Sequence, residues 1–187
     1  MLHLTGPFVA SLLLLSPAQD PLAGRVRQTA YARMDLARAV ARDEAMAQAV
    51  AAKNQKGETA AEIQRHDKAW IAGGEAALKK EVLGNACADR LRDLVKNDPF
   101  VLEAILMDRQ GAIVCITHET SDYWQGDEAK WIKPVVEHQE AFVDDPAFDE
   151  STQSYAIQIS VPVSQGGSTI GALCLTLKIP KPATASR

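Results

Sequence analysis

The sequence predicts an α+β fold: a five-stranded antiparallel sheet with a long N-terminal helix, and additional helices, packed on it. Three observations carry this. Apolar residues in the N-terminal half recur only at helical spacing, those in the C-terminal half alternate with period two, and two pairs of apolar runs are joined by short glycine-bearing turns. A chain of 187 residues with 47% hydrophobic and 24% charged residues has the profile of an ordinary globular protein, and its length sets the expectation at a single domain over residues 19–180.

Residues 1–18 read as a secretory signal peptide. A short apolar run over 8–15 leads to the small residues of Ser16-Pro17-Ala18, and the sequence turns polar at Gln19-Asp20. The run falls far below the roughly 20 residues needed to cross a bilayer. The first helix is expected over 25–53, where Met34, Ala37, Val40, Ala41, Ala47, Val50 and Ala51 recur on one face without a proline. Residues 54–57 break it, and a second helix opens at Glu58-Thr59 and ends at Gly73-Gly74. Leu83, Cys87, Leu91 and Leu94 mark a third, which stops before Asn97-Asp98-Pro99 because the residue ahead of a proline is pushed out of helical geometry. A hairpin follows, with strands over 100–107 and 112–117 about the turn Asp108-Arg109-Gln110-Gly111. A brief edge strand is expected over 141–143, limited by Pro146. In the second hairpin, Tyr155, Ile157, Ile159, Val161 and Val163 alternate with smaller or polar residues, and Gln165-Gly166-Gly167-Ser168 turns the chain into 170–179. Both faces of that last strand are apolar, so it belongs in the middle of the sheet. Residues 181–187 are expected to form a disordered tail.

Composition excludes several function classes. The net charge is −4 and no Lys/Arg stripe interleaves with aromatic residues, so nucleic acid is not an expected partner. Cys87, Cys115 and Cys174 allow at most one disulfide, and each lies in an apolar run, which points to three buried thiols. The acids around residues 119–128 follow no calcium-loop spacing, and no zinc-type His/Cys spacing occurs, so neither a metal nor a cofactor is expected. No nucleophile elbow, His-Glu-x-x-His, phosphate-binding loop or dinucleotide fingerprint is present, and the chain does not read as an enzyme.

One segment stands apart. "SDYWQGDEAKW", residues 121–131, gathers three aromatic rings, three acids and a lysine in a chain that is only 5% aromatic. Trp and Tyr supply rigid contact area with a polar handle, Lys130 can pair with a carboxylate, and Asp122 or Asp127 with an amine, which together suit a ligand wall. The alternative reading has Ser121 capping a short helix, Trp124 and Trp131 packed on the sheet, and Asp127 to Lys130 as a solvated face.

The helical region with Asn54, Asp67 and Trp70, then "ILMDRQGAIVCIT", "TSDYWQGDEAKW", "FDESTQSYAIQISVPV" and "IGALCLTLKI", resembles the Cache, or PDC sensor, family of extracytoplasmic PAS-like modules. The resemblance covers residues 25–179 and implies a sheet of order 2-1-5-4-3 with the connection after the second strand forming the lid of a small-ligand pocket. It places Tyr123, Trp124, Asp127, Lys130 and Trp131 near that pocket, with Asp149, Ser151 and Gln153 on its far rim, and Asp122 joins these candidates by its chemistry as a partner for an amine. Members of the family mostly sit in receptors between membrane helices and a signalling domain, and the expectation here is a stand-alone exported form. That form, periplasmic or secreted, would bind an amino acid, organic acid or amine and serve a membrane receptor or transporter. The other expectation is a structural protein without a ligand, a homodimer through the N-terminal helix, whose Ala37, Ala41, Ala45 and Ala51 would allow close approach.

Overall fold

The helix predicted over 25–53 is three helices in the structure, a computed structural model that describes residues 21–149 and 154–179: α1 (Pro21–Tyr31), α2 (Met34–Ala41) and α3 (Glu44–Lys56). The signal peptide expected over 1–18 and the tail over 181–187 lie outside the described residues. The second break has a clear cause. Asp43 leaves helical geometry (φ −62°, ψ 128°) and its carboxylate accepts the Ala45 N–H at 3.1 Å, capping α3. The same carboxylate takes the Arg90 guanidinium at 2.5 Å from the helix that packs alongside, which holds the Asp43 pKa below the ordinary aspartate value. A continuous helix would forfeit both interactions.

The same logic splits the expected third helix. Helix α4 (Ala60–Ile71) opens with a capping box, in which Thr59 and Glu62 each satisfy the other's backbone N–H. Helices α5 (Ala76–Gly84) and α6 (Ala86–Val95) are then separated at Asn85, whose side chain caps α6 by accepting from Ala88 N at 2.8 Å while donating to Val114 O at 3.1 Å. One asparagine thereby starts a helix and ties it to the sheet.

Strands β1 (Val101–Met107), β2 (Ile113–Ile116), β3 (Phe142–Val143), β5 (Ser154–Gln165) and β6 (Ser168–Lys178) form an antiparallel sheet of order β2-β1-β6-β5-β3. With the strands counted as the sequence reading did, this is the expected 2-1-5-4-3. The last strand is central and pairs with β1 and β5. One strand was not foreseen: β4 (Ala147–Asp149) also pairs with β5, directly after Pro146, which bounds it without breaking it.

Alternation along the strands gives the sheet two covered faces. Ala104, Leu106, Leu173, Leu175 and Leu177 meet Met34, Ala37, Val40, Met46, Val50 and Leu91 on one side. Ile105, Met107, Ala172 and Cys174 meet Ile63, Trp70, Val82 and Tyr123 on the other. Ala37 and Ala41, expected on a dimer face, are instead buried in the first core. Gly171 shows how closely helix and sheet approach: a Cβ there would lie 2.1 Å from Met107 O and 2.9 Å from Val50 Cγ1. Among the described residues no helix is long and apolar enough to cross a membrane.

The expectation of three buried thiols is corrected. Cys87 on α6 and Cys115 on β2 form a disulfide, and Cys174 alone remains a buried thiol. Both bonded residues do occupy apolar positions; what the linear pattern could not show is that α6 lies across β2. The bridge closes a loop over a separation of 28 residues, so it should contribute about 3–4 kcal/mol by restricting the unfolded chain. Reduction, or Cys87→Ala, is expected to lower Tm by about 10 °C, measured by differential scanning fluorimetry with and without reductant.

Candidate ligand site

Residues 117–131 cross over from β2 and fold back on the second face of the sheet, anchored by backbone groups rather than by loose side-chain contact. Asp67 on α4 accepts both the Tyr123 N–H (3.0 Å) and the Trp124 N–H (2.9 Å). Trp70, three residues along the same helix, donates its indole N–H to Thr120 O at 2.9 Å. From the sheet side, Gln125 N donates to Gly111 O at 2.8 Å, and Ala112 and Trp124 form an antiparallel bridge. The two tryptophans grip the hairpin turn. Trp124 Nε1 donates to Gln110 O at 2.7 Å, and Trp131 Nε1 to Asp108 O at 2.9 Å. The turn itself is fixed by the Asp108 carboxylate, which accepts from Gln110 N (2.7 Å) and Ala112 N (3.0 Å) and whose pKa is raised by burial. Contact is so close at this clasp that a Cβ on Gly111 would lie 2.4 Å from Gly126 Cα.

With its aromatic side committed to the turn, the crossover roofs a cavity of about 210 Å³ between itself and the sheet. Glu103 and Ile105 of β1 and Ala156 and Gln158 of β5 form the floor; Thr120, Ser121, Asp122, Gln125, Glu128 and Lys130 form the roof; Asp144, Asp145 and Ala147 close the side. Lys130 is 6% exposed and reaches Glu128 at 3.0 Å. Burial disfavours its ammonium, while the Glu128 and Asp122 carboxylates beside it favour it. Burial, reinforced by the Glu128 carboxylate, pushes the Asp122 pKa upward. Behind the wall, burial pushes the Cys174 thiol up to about 12, so it is protonated and unreactive at neutral pH.

Of the site residues expected from the sequence, Asp122 and Lys130 line this cavity. Tyr123 is fully buried on the opposite side of the crossover, its ring tilted against that of Trp70 with centroids 5.8 Å apart and its hydroxyl hydrogen-bonded to Lys53 (2.7 Å) and Glu58 (3.1 Å). Trp124 and Trp131 sit at the hairpin turn, and Asp127 is exposed. Asp149 lies on β4, paired with Ser154 through the backbone, while Ser151 and Gln153 lie outside the described residues. Sequence reasoning missed Glu103, Gln125, Glu128 and the Asp144-Asp145 corner. A glutamate inside the apolar strand 101–107 was the available signal, since an acid at a core-facing position needs a reason.

No family model matches the chain, and no curated protein matches it. Solved structures do. The sensor domain of the histidine kinase DctB from V. cholerae is 9% identical, with a TM-score of 0.44, covering 84% of this chain and 53% of that one. The ligand-binding domain of the Pseudomonas fluorescens chemoreceptor CtaA, in complex with L-leucine, is 16% identical at a TM-score of 0.39, covering 59% and 49%. That of the Campylobacter jejuni chemoreceptor Tlp3, in complex with 4-methylisoleucine, is 13% identical at 0.40, covering 88% and 63%. These are sensor and chemoreceptor ligand-binding domains, and this chain spans about half the length of the first two.

Two substitutions test the site as built. Gly126→Ala places a Cβ 2.5 Å from Trp124 Nε1 and 2.7 Å from Gln110 O, so it should force the indole off the turn at a cost of about 1–3 kcal/mol, read as a lower denaturation midpoint and a shift in tryptophan emission. Asp122→Asn should act in the opposite direction. A carboxyl whose folded pKa is raised binds its proton more tightly folded than unfolded, so stability falls as pH rises from 3.8 through the folded pKa. Removing the charge should therefore raise Tm at pH 7, with the gain vanishing toward pH 3.8.

Proposed function

We propose that the chain is a small-molecule-binding module of sensor type, exported to the periplasm or secreted, which captures a small polar metabolite beneath the 121–131 segment and has no catalytic activity. The observation that carries this reading is the cavity itself: a polar chamber between the crossover and the sheet, with Asp122 and Lys130 on its wall. Lys130 and Glu103 are buried beside this cavity, and the desolvation of such charges costs stability that a ligand's complementary groups can restore.

The geometry supplies a route by which occupancy reaches the helices. Asp122 on the cavity wall is followed by Tyr123, whose hydroxyl lies 2.7 Å from Lys53 on α3. Tyr123 and Trp124 share Asp67 on α4. A ligand that draws the crossover inward acts on α3 and α4 through those bonds, and the bound form is presented to a membrane receptor or transporter.

A thermal-shift screen of the mature chain against amino acids, organic acids and amines tests this. A ligand at about 100 times its Kd adds about 2.7 kcal/mol of stability. Ser121→Trp, which places an indole at the exposed rim, should leave Tm of the free protein unchanged and abolish the shift. No shift with any class would refute the binding reading.

A further inference from the structure

We propose that the cavity takes a short aliphatic diamine, a dication, in preference to an amino acid or an organic acid; this rests on the binding reading above and specifies its chemistry. The charge inventory of the wall is lopsided. Glu103, Asp122, Glu128, Asp144 and Asp145 bring five carboxylates, against which Lys130 is the single ammonium among the described lining residues. That ammonium is already committed to Glu128 at 3.0 Å. Asp145 is met from outside by Arg27 at 2.5 Å, on the exposed rim. A ligand carboxylate entering this chamber finds acids on three sides and no uncommitted cation among the described lining residues, whereas an ammonium finds carboxylate oxygens that can accept from it.

A second observation points the same way. Gln125 is fully buried and lines the same cavity. Its Nε2 donates to the Asp122 carbonyl at 3.2 Å and to the Asp122 carboxylate, which fixes the orientation of the amide. Its Oε1 is thereby left as an acceptor, and it has no partner among the described residues. A buried acceptor of this kind is completed by a donor, which an ammonium carries and a carboxylate lacks. The raised pKa of Asp122, set first by burial and then by Glu128, agrees, because a desolvated acid beside another acid gains from a nearby cation.

The distribution of the acids separates an organic dication from a metal ion. Glu103 comes from β1, Asp122 and Glu128 from the crossover, and Asp144 from the link between β3 and β4. Among the described residues no three acids, histidines or cysteines converge as a metal would require. Separated charges suit a ligand with an ammonium at each end of a short apolar stem. The volume of about 210 Å³ lies below the usual range of about 300–1,000 Å³ for ligand pockets, which limits the stem to a few carbons.

The test compares four-carbon compounds that differ only in end groups. Butane-1,4-diamine, 4-aminobutanoate and butanedioate, with calcium chloride as a fourth arm, are titrated into the mature chain at constant ionic strength and followed by thermal shift and calorimetry. Butane-1,4-diamine is expected to raise Tm by about 5–10 °C at about 100 times its Kd, 4-aminobutanoate far less and butanedioate not at all. Asp122→Asn should weaken diamine affinity about tenfold or more, as loss of one charge-assisted contact implies, while the free variant remains folded. If butanedioate or 4-aminobutanoate binds better than the diamine, or calcium chloride matches it, the diamine inference falls and the binding reading stands. A diamine shift that persists undiminished in both Asp122→Asn and Ser121→Trp places binding elsewhere and also overturns it. If none of these compounds and no other amino acid, acid or amine shifts Tm, both readings fall.

Discussion

The placement of the crossover depends on one carboxylate. Asp67 accepts two successive backbone N–H groups, of Tyr123 and Trp124, and by doing so fixes the chain direction at the point where the segment passes between α4 and the sheet. An irregular segment carries backbone donors that no ladder satisfies, and burying them without partners costs roughly 1–3 kcal/mol each. Asp67 meets two of them at once, and the Trp70 indole meets Thr120 O close by. From there the remaining contacts follow in register: Gln125 N on Gly111 O, Trp124 on Gln110 O, Trp131 on Asp108 O. The close approach of Gly111 and Gly126 makes the whole set possible, because any side chain there would hold the crossover off the turn.

Rigidity on one side of the crossover is matched by electrostatic tension on the other. The aromatic side is fully paired and packed, while the cavity side gathers like charges in partial burial, with Asp122 held to a raised pKa by desolvation and by Glu128. Those two conditions belong together. A cluster of acids can persist in a folded protein only when the backbone that presents them is held by interactions independent of the charges, and the clasp at the hairpin turn is independent of them.

Behind Tyr123 a polar network extends into the helices. Lys53 of α3 contacts both the Tyr123 hydroxyl (2.7 Å) and Glu58 (2.6 Å); His66 of α4 sits 2.8 Å from Glu75 and 3.5 Å from Glu58. The phenol lies in this network with its pKa raised by burial and by the Glu58 carboxylate, so it remains a neutral donor. The crossover is thereby linked by hydrogen bonds to two helices as well as by packing to the sheet.

Periodicity and turn chemistry determined the architecture. The strand count apart from β4, the central last strand, both hairpin turns and the Thr59 start of α4 were legible because each depends on residues within a few positions of one another. The breaks at Asp43 and Asn85 were hidden because what pays for them, Arg90 and the Val114 carbonyl, is distant in sequence. The Cys87–Cys115 bond was hidden for the same reason. Of the residues that the sequence singled out in the 121–131 segment, Asp122 and Lys130 line the cavity. The segment's aromatic signal came from rings that do not line the cavity, the two tryptophans at the hairpin turn and Tyr123 against α3 and α4. Which face of an irregular segment looks into the cavity is set by backbone partners such as Asp67 and Gly111, and only the tertiary structure brings those within reach.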